Sequence, residues 1–204
     1  MNQIQNHFET IADGLADKGY AVIDNFISDA DCQDVLNLDL FREERLKKAG
    51  IGKENKQIVE GIRGDFIHWI DKTIAPAAIK NYTDRLDALR QFLNQSLYLS
   101  LKDYEVHLAL YPAGSFYKRH LDQFKSDDHR KLSVILYLNE QWTEADGGQL
   151  RMYLQNETLD FLPLAGRLVC FRSDLIEHEV LPATRIRKSI TGWMLDQLAD
   201  LRHI

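Results

Sequence analysis

Tyr104-Glu-Val-His-Leu-Ala-Leu-Tyr111 opens a run of five short β-type segments. The others are Leu132-Ser-Val-Ile-Leu-Tyr-Leu138, Gln149-Leu-Arg-Met-Tyr-Leu154, Arg167-Leu-Val-Cys-Phe171 and Ser189-Ile-Thr-Gly-Trp-Met-Leu195. Turn residues separate them, among them Pro112, Asn139, Gly147-Gly148, Pro163, Gly166 and Pro182. Several short strands punctuated in this way predict a sandwich or jelly-roll barrel. Upstream the pattern is helical. Ile4, Phe8, Ile11 and Leu15 recur at helical spacing, which predicts an amphipathic helix over 2–17. Gly19 ends it, and Tyr20-Ala-Val-Ile23 reads as a short strand. Ser28 followed by Asp31 is a helix start, and the helix is expected to run to about Lys48. The polar stretch from Gly50 to Gln57 is expected to be a mobile loop. Ile58–Ile70 reads as extended, with a turn at Gly64-Asp65, and Pro76 opens a helix carrying Leu86, Leu89, Leu93 and Leu97. Helices first and strands after give an α+β class: a double-stranded β-helix, or jelly-roll, core from 104 to 196. N-terminal helices over 1–100 buttress it, the whole 1–204 forming one domain.

Bulk composition narrows the function. Of 204 residues, 31 are Asp or Glu and 25 are Lys or Arg, a net charge of −6, which disfavours avid nucleic-acid binding. Cys32 and Cys170 lie far apart and read as reduced thiols of a cytoplasmic protein. No apolar run approaches membrane-spanning length, and Met1–His7 lacks the character of a signal peptide.

The chemistry gathers around Tyr111–Asp122, which ends in His120-Leu-Asp122. Residues i and i+2 of a strand share a face, so one imidazole and one carboxylate project together. His178, in Glu177-His-Glu-Val180, supplies a third ligand, with Glu177 and Glu179 facing the other way. Two His and one carboxylate form the facial set that holds non-haem Fe(II) and leaves positions open. Further on, Arg187, Ser189, Thr191 and Trp193 share one strand face. An Arg pointing into a barrel is costly unless an anion meets it. A carboxylate taken bidentately by Arg187 and helped by Thr191 is the natural remedy, and a small dicarboxylate such as 2-oxoglutarate fits. Tyr111, Tyr117 and Tyr137 are candidate phenolic donors to the same pocket, and Gly147-Gly148 reads as a hairpin turn.

Taken together, Tyr111-Pro, Tyr117, His120-Leu-Asp122, Tyr137-Leu-Asn-Glu-Gln-Trp142, Gly147-Gly-Gln-Leu-Arg151, His178-Glu-Val-Leu-Pro-Ala183, Arg187 and Thr191-Gly-Trp193 resemble the prolyl hydroxylases of the hypoxia-sensing type. Ile62-Arg-Gly-Asp-Phe-Ile-His-Trp-Ile70 extends the similarity, which spans residues 58–196, and the bacterial members match best in size. The resemblance implies an Fe(II)- and 2-oxoglutarate-dependent dioxygenase that hydroxylates proline at the 4-position in a protein. O2 is the second cosubstrate, succinate and CO2 are co-products, and ascorbate is a candidate accessory reductant. It implies His120, Asp122 and His178 as iron ligands. Arg187, Thr191 and Tyr137 would bind the distal carboxylate, Tyr111 would line that pocket and Trp193 would wall the active site. It implies Arg63, Asp65, Trp69 and Tyr117 as contacts to a peptide substrate. The expected partner is a protein with an exposed prolyl loop, elongation factor Tu being a candidate. No membrane partner is expected, and the protein is expected as a monomer or dimer. The competing readings are an oxygenase of the same cofactors acting on nucleic acid or a small molecule, and a non-catalytic cupin-like binding module.

Overall fold

A computed structural model describes residues 3–49, 62–123 and 128–199. The expected mobile loop at 50–57 and the start of the 58–70 segment lie outside these residues. The chain begins with α1 (Gln3–Lys18), which buries Phe8, Ile11, Ala12 and Leu15, spaced to share one helix face. β1 (Tyr20–Ile23) follows directly. α2 (Asp29–Leu36) starts at a capping box in which Ser28 and Asp31 satisfy each other's backbone donors.

That helix stops at Leu36, well short of the expected Lys48. Asn37 caps it, and two 3-10 turns (Asp39–Phe41 and Glu43–Arg45) lead into the short β2 (Lys47–Lys48). The physical reason lies in the spacing of Leu36, Leu38 and Leu40, all packed on the core. Apolar residues two apart cannot share one helix face.

β3 (Phe66–Trp69) precedes α3 (Ala77–Leu97), which buries Ile79, Tyr82, Leu86, Leu89 and Leu93. Tyr98 closes α3 in the left-handed conformation. Eight further strands follow: β4 (Asp103–Tyr111), β5 (Tyr117–His120), β6 (Arg130–Tyr137), β7 (Leu150–Tyr153), β8 (Thr158–Phe161), β9 (Leu168–Arg172), β10 (Glu177–Val180) and β11 (Arg187–Leu195). They form a seven-stranded sheet, β1-β9-β6-β11-β4-β3-β2, and a four-stranded sheet, β5-β10-β7-β8. All neighbouring strands in the two sheets pair antiparallel. This is the expected α+β jelly roll.

Alternation along β4 sorts the large sheet's two faces. Tyr104, Val106 and Leu108 join α1 and α3 in one apolar cluster. Leu132, Val134 and Leu136 of β6 belong to it as well, as do Ile190 and Met194 of β11. The opposite face carries Ala109, Tyr111, Ile135 and Tyr137, which pack against Leu150, Met152 and Val180 of the small sheet. The space between the sheets is therefore lined by the odd-numbered positions of β4, β6 and β11, and the site lies there.

Candidate metal centre and carboxylate pocket

Pairing of β10 with β5 sets His178 directly opposite His120. On its other side His178 faces Met152 of β7. Glu177 and Glu179 take the outer face, where they meet Arg119 and Tyr153. β5 stops at His120, so Asp122 lies in a bend two residues beyond the strand and not on it. Asp122 therefore reaches His120 from the bend and not by the alternation of a strand. The Ser133 hydroxyl on β6 donates to Asp122 Oδ2 at 2.6 Å and stands 2.9 Å from the Ser173 hydroxyl.

One ligand atom each from His120, Asp122 and His178 falls within 4.8 Å of the others. His120 Nε2 is 3.4 Å from Asp122 Oδ1, and His178 Nε2 is 3.6 Å from Asp122 Oδ2. Each ring's Nδ1 is held by a carbonyl, Lys118 O at 2.7 Å and Ile176 O at 3.2 Å. That contact fixes the tautomer with the proton on Nδ1 and turns the Nε2 lone pair toward the carboxylate. Burial lowers the His178 pKa to about 4, against the opposing pull of Asp122, so its ring is neutral at ordinary pH. Burial alone would raise Asp122, yet His178, His120 and Ser133 together hold it well below the usual carboxylate range. Two imidazoles and one ionised carboxylate, with lone pairs converging on one point, fit a divalent cation.

The second half of the site is cationic. Arg187 is 2% exposed. Its Nε donates to Gly148 O at 2.9 Å, and its guanidinium lies 5.2 Å from the Tyr111 ring and 4.9 Å from the Tyr137 ring. Arg187 Nη2 and the Tyr137 hydroxyl are buried without a hydrogen-bond partner among the described residues. Burial raises the Tyr137 phenol, so it stays protonated as a donor. Two unmet donors side by side, one of them charged, fit a carboxylate. Thr191 shares this strand face, its hydroxyl 3.1 Å from that of Ser189. Trp193 sits farther along, 5.5 Å from His107 and 6.3 Å from Trp69.

Gly147-Gly148 turns no hairpin, because it runs from the 3-10 turn Glu144–Asp146 into β7, and β6 and β7 belong to different sheets. Gly148 has φ +69, and a Cβ there would stand 3.3 Å from Arg187 Cδ, 3.2 Å from Trp142 and 3.0 Å from Ala183. Its bare backbone lets the carbonyl reach the guanidinium. Gly148→Ala is expected to cost about 1–2 kcal/mol through the left-handed conformation. It should also weaken binding of a carboxylate ligand by about tenfold, roughly 1.4 kcal/mol. Calorimetric titration with 2-oxoglutarate checks this.

Of the remaining expected contacts, Tyr117 and the Arg63–Asp65 pair lie by His120, whereas Trp69 lies by His107. Arg63 and Asp65 form a bidentate pair at 2.5 and 2.8 Å. Arg63 lies 4.7 Å over the Tyr117 ring, and Tyr117 stacks on His120 at 3.7 Å. Trp69 meets His107 edge-on at 4.8 Å. His107 and Ser133 escape the reading of the sequence. Each is a polar residue within an apolar strand, and that interruption was the available signal.

Comparison with known proteins agrees with this geometry. Residues 106–195 match the model of the 2OG-Fe(II) oxygenase superfamily. The structure is similar to a Pseudomonas putida prolyl-4-hydroxylase, with 42% identity and a TM-score of 0.85 over 94% of this chain and 100% of that one. It is also similar to a Trichoplax adhaerens prolyl hydroxylase solved with a hypoxia inducible factor peptide fragment. There the identity is 30% and the TM-score 0.86, over 95% of this chain and 91% of that one. Among curated proteins, the hypoxia-inducible factor prolyl hydroxylase of Caenorhabditis elegans is 32% identical over 93% of this chain. The chain spans only 28% of that relative's length. The chain belongs to the 2OG-Fe(II) oxygenase superfamily, alongside its prolyl hydroxylases.

Proposed function

We propose that this protein hydroxylates a prolyl residue, at the 4-position, in a protein substrate. The observation that carries the reading is the pairing of two unmet demands between the same two sheets. One is a His-Asp-His set with its lone pairs converged, and the other is a buried Arg187 with no carboxylate partner among the described residues. His120, Asp122 and His178 would hold Fe(II). Arg187, Tyr137 and Thr191 would hold the distal carboxylate of 2-oxoglutarate, with Tyr111 walling its chain. When bound, iron and 2-oxoglutarate supply the oxidising chemistry that places one atom of O2 on the substrate and the other in succinate, with release of CO2.

The chain's own residues orient and exclude. The carbonyls behind both imidazoles fix the ligand atoms, and Ser133 fixes the carboxylate. Tyr117 lies against Arg63 and His120, and Trp69 and Trp193 group around His107, so the walls around the metal set are aromatic and suited to a proline ring. Arg63 and Asp65 close on each other behind Tyr117. The substrate would carry an exposed prolyl loop, and elongation factor Tu is a candidate. A cytoplasmic setting is supported by the two cysteines, which are free and buried, with burial pushing the Cys170 thiol up to about 12. No helix among the described residues is long and apolar enough to cross a membrane. The helices and both sheets are read as one oxygenase domain, with ascorbate as a candidate reductant.

The test is incubation with Fe(II), 2-oxoglutarate, O2 and peptides covering prolyl loops, those of elongation factor Tu included. The expected result is a gain of one oxygen on a proline, with succinate formed in equal amount. Oxidation of a nucleic acid or small molecule, with every peptide left untouched, would overturn the reading.

A further inference from the structure

The metal set is braced from outside by the segment 62–65. Arg63 spends both Nε and Nη2 on Asp65, which is 1% exposed, and its guanidinium carbon stands 4.7 Å over the Tyr117 ring. That ring in turn lies nearly parallel to His120, with 19° between the planes. A second route runs through backbone. The Lys118 amide donates to Ile62 O at 2.9 Å, and the Lys118 carbonyl is the one that holds His120 Nδ1. The Gly64 amide donates to Phe116 O at 3.1 Å, and the Ser115 hydroxyl donates to Gly64 O at 2.6 Å. A Cβ at Gly64 would collide with that hydroxyl, so a larger residue there would turn the Ser115 side chain away and break its bond to Gly64 O.

We propose that Arg63 is a positioning residue for His120, so that metal occupancy and docking of the 62–65 segment stabilise each other. The proposal rests on His120 being a metal ligand. An arginine committed to a buried carboxylate and set over an aromatic ring has little left for an anionic substrate group. What it can do is hold Tyr117, and through it the imidazole plane. Linkage requires the effect to run both ways. Whatever displaces the segment loosens the metal, and the metal tightens the segment.

The test uses Co(II), titrated without oxygen into the full chain and followed by its absorption. Arg63→Ala is expected to weaken Co(II) binding by about 10–100-fold, the usual cost of losing a residue that orients a ligand. Arg63→Lys keeps the charge for Asp65 but not the guanidinium over Tyr117, and should fall between. In the wild type, Co(II) should slow hydrogen exchange at the Lys118 and Gly64 amides more than at β1. Wild-type affinity in a folded Arg63→Ala protein would overturn the proposal, as would unchanged exchange at those two amides. The exchange measurement needs no variant, so it decides even if Arg63→Ala fails to fold. Failure of the wild type to bind Co(II) would instead overturn the reading of the site itself.

Discussion

Arg187→Met is expected to weaken 2-oxoglutarate binding by about a hundredfold or more while leaving the ligand-free fold at least as stable. Truncating one partner of a buried charge pair costs about 2–5 kcal/mol of binding, the higher values applying where the other charge is left unmet. A loss of about 3 kcal/mol is roughly a hundredfold. The stability half of the prediction follows from the same burial. Without a ligand, the Arg187 cation is 2% exposed, keeps one hydrogen bond to Gly148 and leaves Nη2 unmet. Replacing such a group by an apolar chain of similar volume is often neutral or stabilising. Calorimetric titration and thermal unfolding of the two proteins, each with and without 2-oxoglutarate, check both halves. The wild type should gain melting temperature from the ligand and the variant should not.

The other large effect belongs to the metal set. His178→Ala is expected to reduce Fe(II) affinity by roughly three orders of magnitude, about 4 kcal/mol, and activity with it. His178 sits at the one point where the β10–β5 pairing and the bend at Asp122 converge. The backbone ladder of β10 to β7 is independent of the ring, so the variant should fold. Added imidazole, small enough to enter the space left by the ring, should restore part of the metal binding. Metal titration of the variant with and without imidazole checks this.

The jelly roll was legible because β4, β6, β9 and β11 are apolar and bounded by turn residues. The inward face of β11 was legible because Arg187 is an outlier in an apolar run. The strands β5, β8 and β10 were harder, since Tyr-Lys-Arg-His, Thr-Leu-Asp-Phe and Glu-His-Glu-Val are too polar to stand out. The end of α2 was missed because Asp39–Arg45 has helical composition, and only the two-residue spacing of its leucines betrays the change. The partners of the site residues were beyond a reading by spacing. Ser133 reaches Asp122 through a bend, Gly148 reaches Arg187 across the barrel, and Arg63 reaches Tyr117 by an isolated bridge. Each depends on register between distant strands, which local pattern does not encode.

The most direct measurement is an anaerobic titration of Fe(II) and 2-oxoglutarate into the purified protein, watched for the weak visible charge-transfer band of a chelated complex. The account predicts that the band forms in the wild type, is lost in His178→Ala and weakens in Arg187→Met. A folded wild-type protein that shows no band at saturating Fe(II) and 2-oxoglutarate would contradict it.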